Sequence, residues 1–188
     1  MGNTLYIGID PSMSATGCVV NMSHWSDGAQ CDVFPATHFH GRLRFYFPCD
    51  EVVVAIEYPK KTDGNRKTGK GNTRVVCACA AQMVKDLEKR FPLRGEYRVK
   101  SRVIYKVTPE TWRLWAYGPG KMSTEQAKAA AVALTGIEDH NIAEAAILCK
   151  LGEWWSSRGF DPKDPLDGYT GGFYCRQWLK GQFESEVE

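Results

Sequence analysis

Two short apolar stretches each finish on a carboxylate, and the other elements of the chain arrange themselves around that pair. In the first, Leu5, Ile7 and Ile9 alternate with Tyr6 and Gly8 before Asp10, which is the two-residue period of a strand. Pro11, Ser12 and Gly17 follow, then a second apolar run through Val20, so the segment predicts a hairpin with Asp10 near its bend. In the second, Glu51-Val-Val-Val-Ala-Ile-Glu57 is apolar throughout its interior, as in a central strand covered on both faces. Between them, residues 31–47 have strand character broken at Pro35 and around Gly41.

The second half of the chain reads mainly as helix. Val76, Ala80, Met83, Val84 and Leu87 recur at helical spacing and Pro92 stops the run, predicting a helix over 73–90. Its small face (Cys77, Ala78, Ala80 and Ala81) permits close packing on the sheet or on a twin subunit, the core being the expected use. A strand over 102–107 precedes Thr108-Pro109-Glu110, where threonine caps a short helix and proline takes its first position. Trp112 and Trp115 on that helix are assigned to the core. Ser123 and Gln126 form a capping box that opens another helix. In the last one, Ile142, Ala145, Ala146, Leu148 and Cys149 make the packing surface, and Glu144 shares a side with Asn141 and His140, three and four residues back. From Trp154 onward glycine and proline recur. The chain there is predicted to be irregular, with aromatic 173–179 folding back on the body and 184–188 a frayed tail.

Composition narrows the class. A length of 188 residues suits one domain with a single core, and 43% hydrophobic with 24% charged residues is the balance of a soluble globular protein. No apolar run approaches the ~20 residues of a membrane span, and the first strand begins too early to leave room for a signal peptide. A cytoplasmic, non-secreted protein is expected. The seven cysteines are odd in number, and Cys77-Ala-Cys79 lacks zinc-ligand spacing. Cys18, Cys77, Cys79 and Cys149 lie in apolar runs and read as buried thiols in a reducing compartment.

The net charge of +2 hides an asymmetry: residues 60–106 carry 14 Lys/Arg against 4 Asp/Glu, whereas 137–188 carry 5 against 10. A basic middle suits a protein that grips a polyanion with one face. Its densest part, 60–74, holds three glycines and six basic residues (Lys60, Lys61, Arg66, Lys67, Lys70 and Arg74). It leaves Glu57 directly, so as a mobile loop it would reach along a phosphate backbone. The alternative is a plain solvated loop.

A carboxylate ending a buried strand is costly unless it binds a metal or accepts several hydrogen bonds. Asp10 alone has a bland alternative, capping its own turn through Ser12. Two buried strands that each deliver an acid at the C-terminal end, with Glu144 arriving on a late helix, point instead to a divalent-metal site for phosphodiester chemistry.

Taken in order, "IGIDPSMSATG", "VVVAIEYP", "TPETWRLWAYGPGKMSTEQAK" and "DHNIAEAAILCKLG" resemble the RuvC family of Holliday-junction resolvases. The resemblance covers about the first 150 residues. It implies an α/β ribonuclease H-like fold, a mixed five-stranded sheet flanked by helices, occupying 1–153, with 154–188 an irregular extension packed on the same domain. It also implies an endonuclease that cuts four-way DNA junctions as a homodimer, with no membrane association. On this resemblance Asp10, Glu57 and Glu144, with Asn141 or His140, hold two Mg2+ or Mn2+ ions ~4 Å apart, and Lys121 approaches the scissile phosphate.

Three departures stand out. The family's helix before the glutamate strand has too little room in 41–50. Lys60 and Lys61 stand where the family often presents an aromatic wedge. Asn141 is neutral where the family has an acid, and His140 is a candidate substitute one position early. Three other readings remain open. The Gly-Ile-Asp hairpin also suits actin- or sugar-kinase-type phosphotransferases, but those need a second such domain and another Asp-Gly loop, for which Asp167-Gly168 is poorly placed. The second is a non-catalytic junction binder, and the third a nuclease of the same fold acting on forks, flaps or RNA–DNA hybrids.

Overall fold

The computed structural model describes residues 3–22, 30–42, 49–59, 70–95, 98–161 and 172–184. The first apolar stretch is strand β1 (Thr4–Asp10), which turns through the predicted hairpin into antiparallel β2 (Thr16–Met22), and β3 (Gln30–Phe34) continues the meander. The second stretch is β4 (Glu51–Glu57), which lies parallel to β1 on its other side, and β5 (Ser101–Val107) lies parallel to β4. The sheet order is therefore β3-β2-β1-β4-β5, with the two acid-ending strands adjacent at its centre.

Alternation along β1 and β4 divides the core in two. Leu5, Ile7, Ile9, Val52, Val54 and Ile56 face α2 (Lys70–Arg90), which presents Ala80, Met83, Val84 and Leu87 to them. Of its small residues Cys77 and Ala80 are buried, whereas Ala78 is exposed and Ala81 half-buried, so the face on the sheet is the stripe that continues through Met83, Val84 and Leu87. Val53 and Ala55 face the other layer, built from α3 (Pro109–Tyr117), α4 (Thr124–Thr135) and α5 (His140–Ser157). The predicted caps are present. The Thr108 hydroxyl accepts from the Thr111 N–H ahead of Pro109, and Ser123 and Gln126 form a reciprocal capping box.

Two stretches differ from expectation. After β3 the chain leaves strand geometry at Pro35, which has no N–H to continue a ladder. It forms a 3-10 turn, Ala36–His38, and a short helix α1 (Phe39–Arg42) anchored by buried Phe39. A short helical segment thus does precede β4. At the C-terminus, α5 runs on to Ser157 and a further helix, α6 (Gly172–Glu184), follows, where irregular chain was expected. Cys175, Leu179 and Phe183 recur every four residues along α6 and are buried with Trp115, Trp154 and Trp155. The Arg176 guanidinium donates to the Leu114 carbonyl near the end of α3. That apolar stripe stabilises the helix despite Gly172 and Gly181, because packing outweighs weak propensity.

Cys18, Cys77 and Cys149 are buried and Cys79 is half-buried. Among the described residues, no helix is long and apolar enough to cross a membrane.

Candidate active site

The parallel pairing of β1 with β4 sets Ile9 beside Ile56, so Asp10 and Glu57 leave neighbouring strands together at one edge of the sheet. Alternation puts them on the same face as Gly8 and Ala55, the face that α5 covers. The helix lies unusually close. A methyl group on Gly8 would overlap the backbone of Ala145 and Cys149, and one on Gly17 would overlap the backbone of Asn141. With no side chains to hold it off, α5 rides on the backbone of β1 and β2. Glu144 is thereby brought beside Asp10, close enough that the protonation of each carboxyl group depends on the other.

Asp10 is not consumed by its own turn. The Ser12 N–H donates to the Thr16 hydroxyl, which in turn donates to the Ser12 carbonyl at 2.6 Å. Thr16 closes the hairpin, leaving the Asp10 carboxyl directed to the site. Among the described residues, the buried polar or charged side chains are Asp10, Thr16, Glu57 and Glu144. Three of these four are the acids of this edge.

Their proton affinities follow from that crowding. Burial, then the neighbouring charges of Glu57 and Glu144, push Asp10 well above the usual carboxylate range, with Arg113 opposing. Burial pushes Glu57 up to about 7, against the hydrogen bond from Trp112 and the charge of Arg113. Glu144 is also raised by burial, while Arg113, the Asp10 carboxyl, His140 and Lys128 pull it back. Three carboxyl groups packed together cannot all ionise without a compensating cation.

Three residues assigned to the core or passed over in sequence border these acids: Trp112, Arg113 and Tyr117. Trp112 is fully buried, as expected, but its indole N–H donates to Glu57 Oε2 at 2.6 Å. Arg113 acts on all three acids, and its guanidinium sits 5.2 Å from the Trp112 ring centre. Tyr117, one helical turn on, packs edge-on against Trp112, and burial and Glu144 raise its hydroxyl. The available signal was spacing: 113 and 117 fall on one side of a helix that starts directly after a strand parallel to β4.

The other predicted residues are placed as follows. Asn141 is half-buried beside Gly17, the residue paired with Asp10, and its amide donates to Asp139, which caps α5. Its carbonyl oxygen is left as the candidate ligand atom. His140 opens α5 and is near enough to Glu144 to stabilise its charged form. Lys121 is exposed in the connection between α3 and α4, whereas Lys128 of α4 acts on Glu144. Lys60, Lys61, Arg66 and Lys67 lie outside the described residues. Lys70 opens α2, and Arg74 is exposed on its first turns.

The residues fit a hard divalent cation. Among the described residues, Glu144 Oε1 is buried with no hydrogen-bond partner beside two further acids, and the donor set is all oxygen apart from His140, which favours Mg2+ or Mn2+ over zinc. The set is not pre-closed. Glu57 gives one oxygen to Trp112, and among the described residues no three acid, His or Cys side chains already meet ion-site spacing.

No family model matches the chain, and no curated protein matches it in sequence. Among solved structures, it is similar to Thermus thermophilus RuvC in complex with Holliday junction substrate, with a TM-score of 0.51 and 16% identity over 85% of this chain and 97% of that one. A second Thermus thermophilus RuvC structure matches with a TM-score of 0.41 and 16% identity, over 82% and 96% of the two chains. The first of these likenesses, together with the order and directions of the five strands, establishes that the chain has the ribonuclease H-like α/β fold of RuvC.

Proposed function

We propose that this chain is a divalent-metal-dependent endonuclease that resolves four-way DNA junctions by paired nicks. The observation that carries the reading is the convergence of Asp10, Glu57 and Glu144, three buried acids from two parallel strands and a crossing helix. Burying three carboxylates is expensive, and a fold that needed only stability would fill these positions with apolar side chains. Asp10, Glu57 and Glu144 would hold Mg2+ or Mn2+, two ions in the fully assembled site, with Asn141 or His140 completing the set. A metal held there would supply Lewis acidity for activating water and stabilising the leaving oxygen. Arg113 and Lys128 offset negative charge at the acid cluster, and Lys121 and the 60–74 segment would contact the phosphate backbone. A four-way junction has two-fold symmetry, so paired nicks call for a C2 homodimer.

The experiment is to compare cleavage of a mobile four-way junction, a replication fork and an RNA–DNA hybrid with Mg2+ or Mn2+. The junction should be cut by symmetric nicks, while Asp10→Asn and Glu57→Gln bind it with near-native affinity and do not cut. Preferential cutting of the fork or hybrid moves the substrate within the same fold. Full activity of either mutant removes the acids from the site.

A further inference from the structure

Three tryptophans pack in the core near the site: Trp112, Trp115 and Trp155, all essentially without solvent exposure. Among the described residues, the indole N–H groups of Trp115 and Trp155 have no hydrogen-bond partner, so the core accommodates a buried indole without satisfying it. Trp112 differs. Its N–H donates to Glu57 Oε2 at 2.6 Å, a close contact for an N–H···O bond. Its ring is gripped on two sides, by the Arg113 guanidinium at 5.2 Å and by the edge of Tyr117 at 5.8 Å between ring centres. Helix α3 is itself fixed at its start by the Thr108 cap and Pro109. The donor is therefore held from both the ring and the backbone.

We propose that Trp112 is the positioning residue of Glu57: its indole N–H engages Oε2 and leaves Oε1 as the single oxygen that Glu57 offers a cation. A carboxylate at the end of a strand can otherwise rotate or chelate through both oxygens, and a fixed partner in the surrounding shell removes that freedom. The donor is neutral, so it fixes the carboxylate without adding a charge that competes with the ion. This rests on the reading of Glu57 as a cation ligand, and the test separates the two.

In the metal-free protein, the six tryptophans give six indole N–H signals in a 15N-correlated spectrum, and Trp112→Phe identifies one by its loss. Glu57→Ala should move that signal further than the other five. If the signal stays in place, the bond does not exist in solution and the proposal is overturned. If Trp112→Phe does not fold, the Glu57→Ala spectrum decides alone: one indole signal must move far more than the rest. The second arm is calorimetric titration with MnCl2. Trp112→Phe keeps an aromatic ring but no donor, and should bind Mn2+ roughly 10–100-fold more weakly while holding a four-way junction with unchanged affinity in the absence of metal. Unchanged Mn2+ affinity overturns the positioning role. If the native protein takes up no Mn2+, the ligand reading of Glu57 falls, and the proposal falls with it whatever the indole spectrum shows.

Discussion

On the α2 side of the sheet, Leu5, Ile7 and Ile9 of β1 and Val52, Val54 and Ile56 of β4 stand against Ala80, Met83 and Leu87. On the α5 side the alternate residues of the same strands are Tyr6, Gly8 and Asp10, then Val53, Ala55 and Glu57. The first face is apolar and filled by branched side chains. The second is pared to glycine and alanine in its middle and ends on acids. The strands are shared, so the difference lies in what each helix must deliver. Helix α2 contributes burial. Helix α5 must carry Glu144 to Asp10, and it can do so only where the sheet has no side chain in the way. The apolar face supplies stability that the acid edge costs.

Single substitutions should separate the two faces. Gly8→Ala places a methyl group into the backbone of α5. Because backbone cannot swing aside, the loss should exceed the ~1–3 kcal/mol usual for overpacking, and nicking should vanish even in the folded fraction as Glu144 moves away. Leu87→Ala, at a fully buried position of the α2 contact, should cost about 2–5 kcal/mol yet leave nicking per folded molecule near native below its melting temperature. Denaturant unfolding and nicking assays on both variants check this. Equal behaviour of the pair would erase the distinction between the faces.

The same contrast gives the metal-free protein a pH dependence. Glu57 takes up its proton at about 7 when folded and near 4.5 when unfolded, and Asp10 is shifted in the same direction. Between those values the native state holds more protons than the unfolded chain. The Glu57 contribution, on the order of 3 kcal/mol, is therefore complete below pH 4.5 and lost as pH rises through about 7. Urea unfolding in chelator across that range should show falling stability. A flat or rising profile would mean that the acids are not buried together.

The smallest effects belong to the start of α5. Asn141 and His140 both lie on the Glu144 side, and on the proposed function the resemblance in spacing to RuvC resolvases makes Asn141 the weakened ligand. Asn141→Asp should then raise nicking several-fold and lower the metal concentration required, since it replaces a neutral oxygen with an anionic one, while His140→Ala changes little. The reverse pattern in a Mg2+ and Mn2+ titration assigns the position to His140.

Much of this was legible in the sequence, because the deciding patterns are local. Strand alternation, the acids at 10 and 57, the Thr108 and Ser123 caps, and the shared side of 141 and 144 all follow from spacing. What was not legible depends on partners distant in sequence. Gly8 read as a strand glycine and Gly17 as part of the turn, and only the crossing of α5 shows why a side chain is excluded at both. Trp112 read correctly as core, but nothing nearby in sequence announces a hydrogen bond to a residue 55 positions away. Arg113 was one arginine in a basic chain until α3 placed it against three acids. Helix α6 was hidden by its glycines, and its apolar stripe acquires meaning only from the tryptophans it covers.

The central claim is that Asp10, Glu57 and Glu144 form one cation site, and thermal unfolding at neutral pH with and without Mg2+ or Mn2+ tests it most directly. A cation that binds only the folded state should stabilise the native protein by about 3 kcal/mol at a hundredfold excess over its dissociation constant. Asp10→Asn and Glu144→Gln should lose most of that gain while melting, without metal, no lower than the native protein. A midpoint that metal does not raise, or raises equally in all three proteins, would contradict the account.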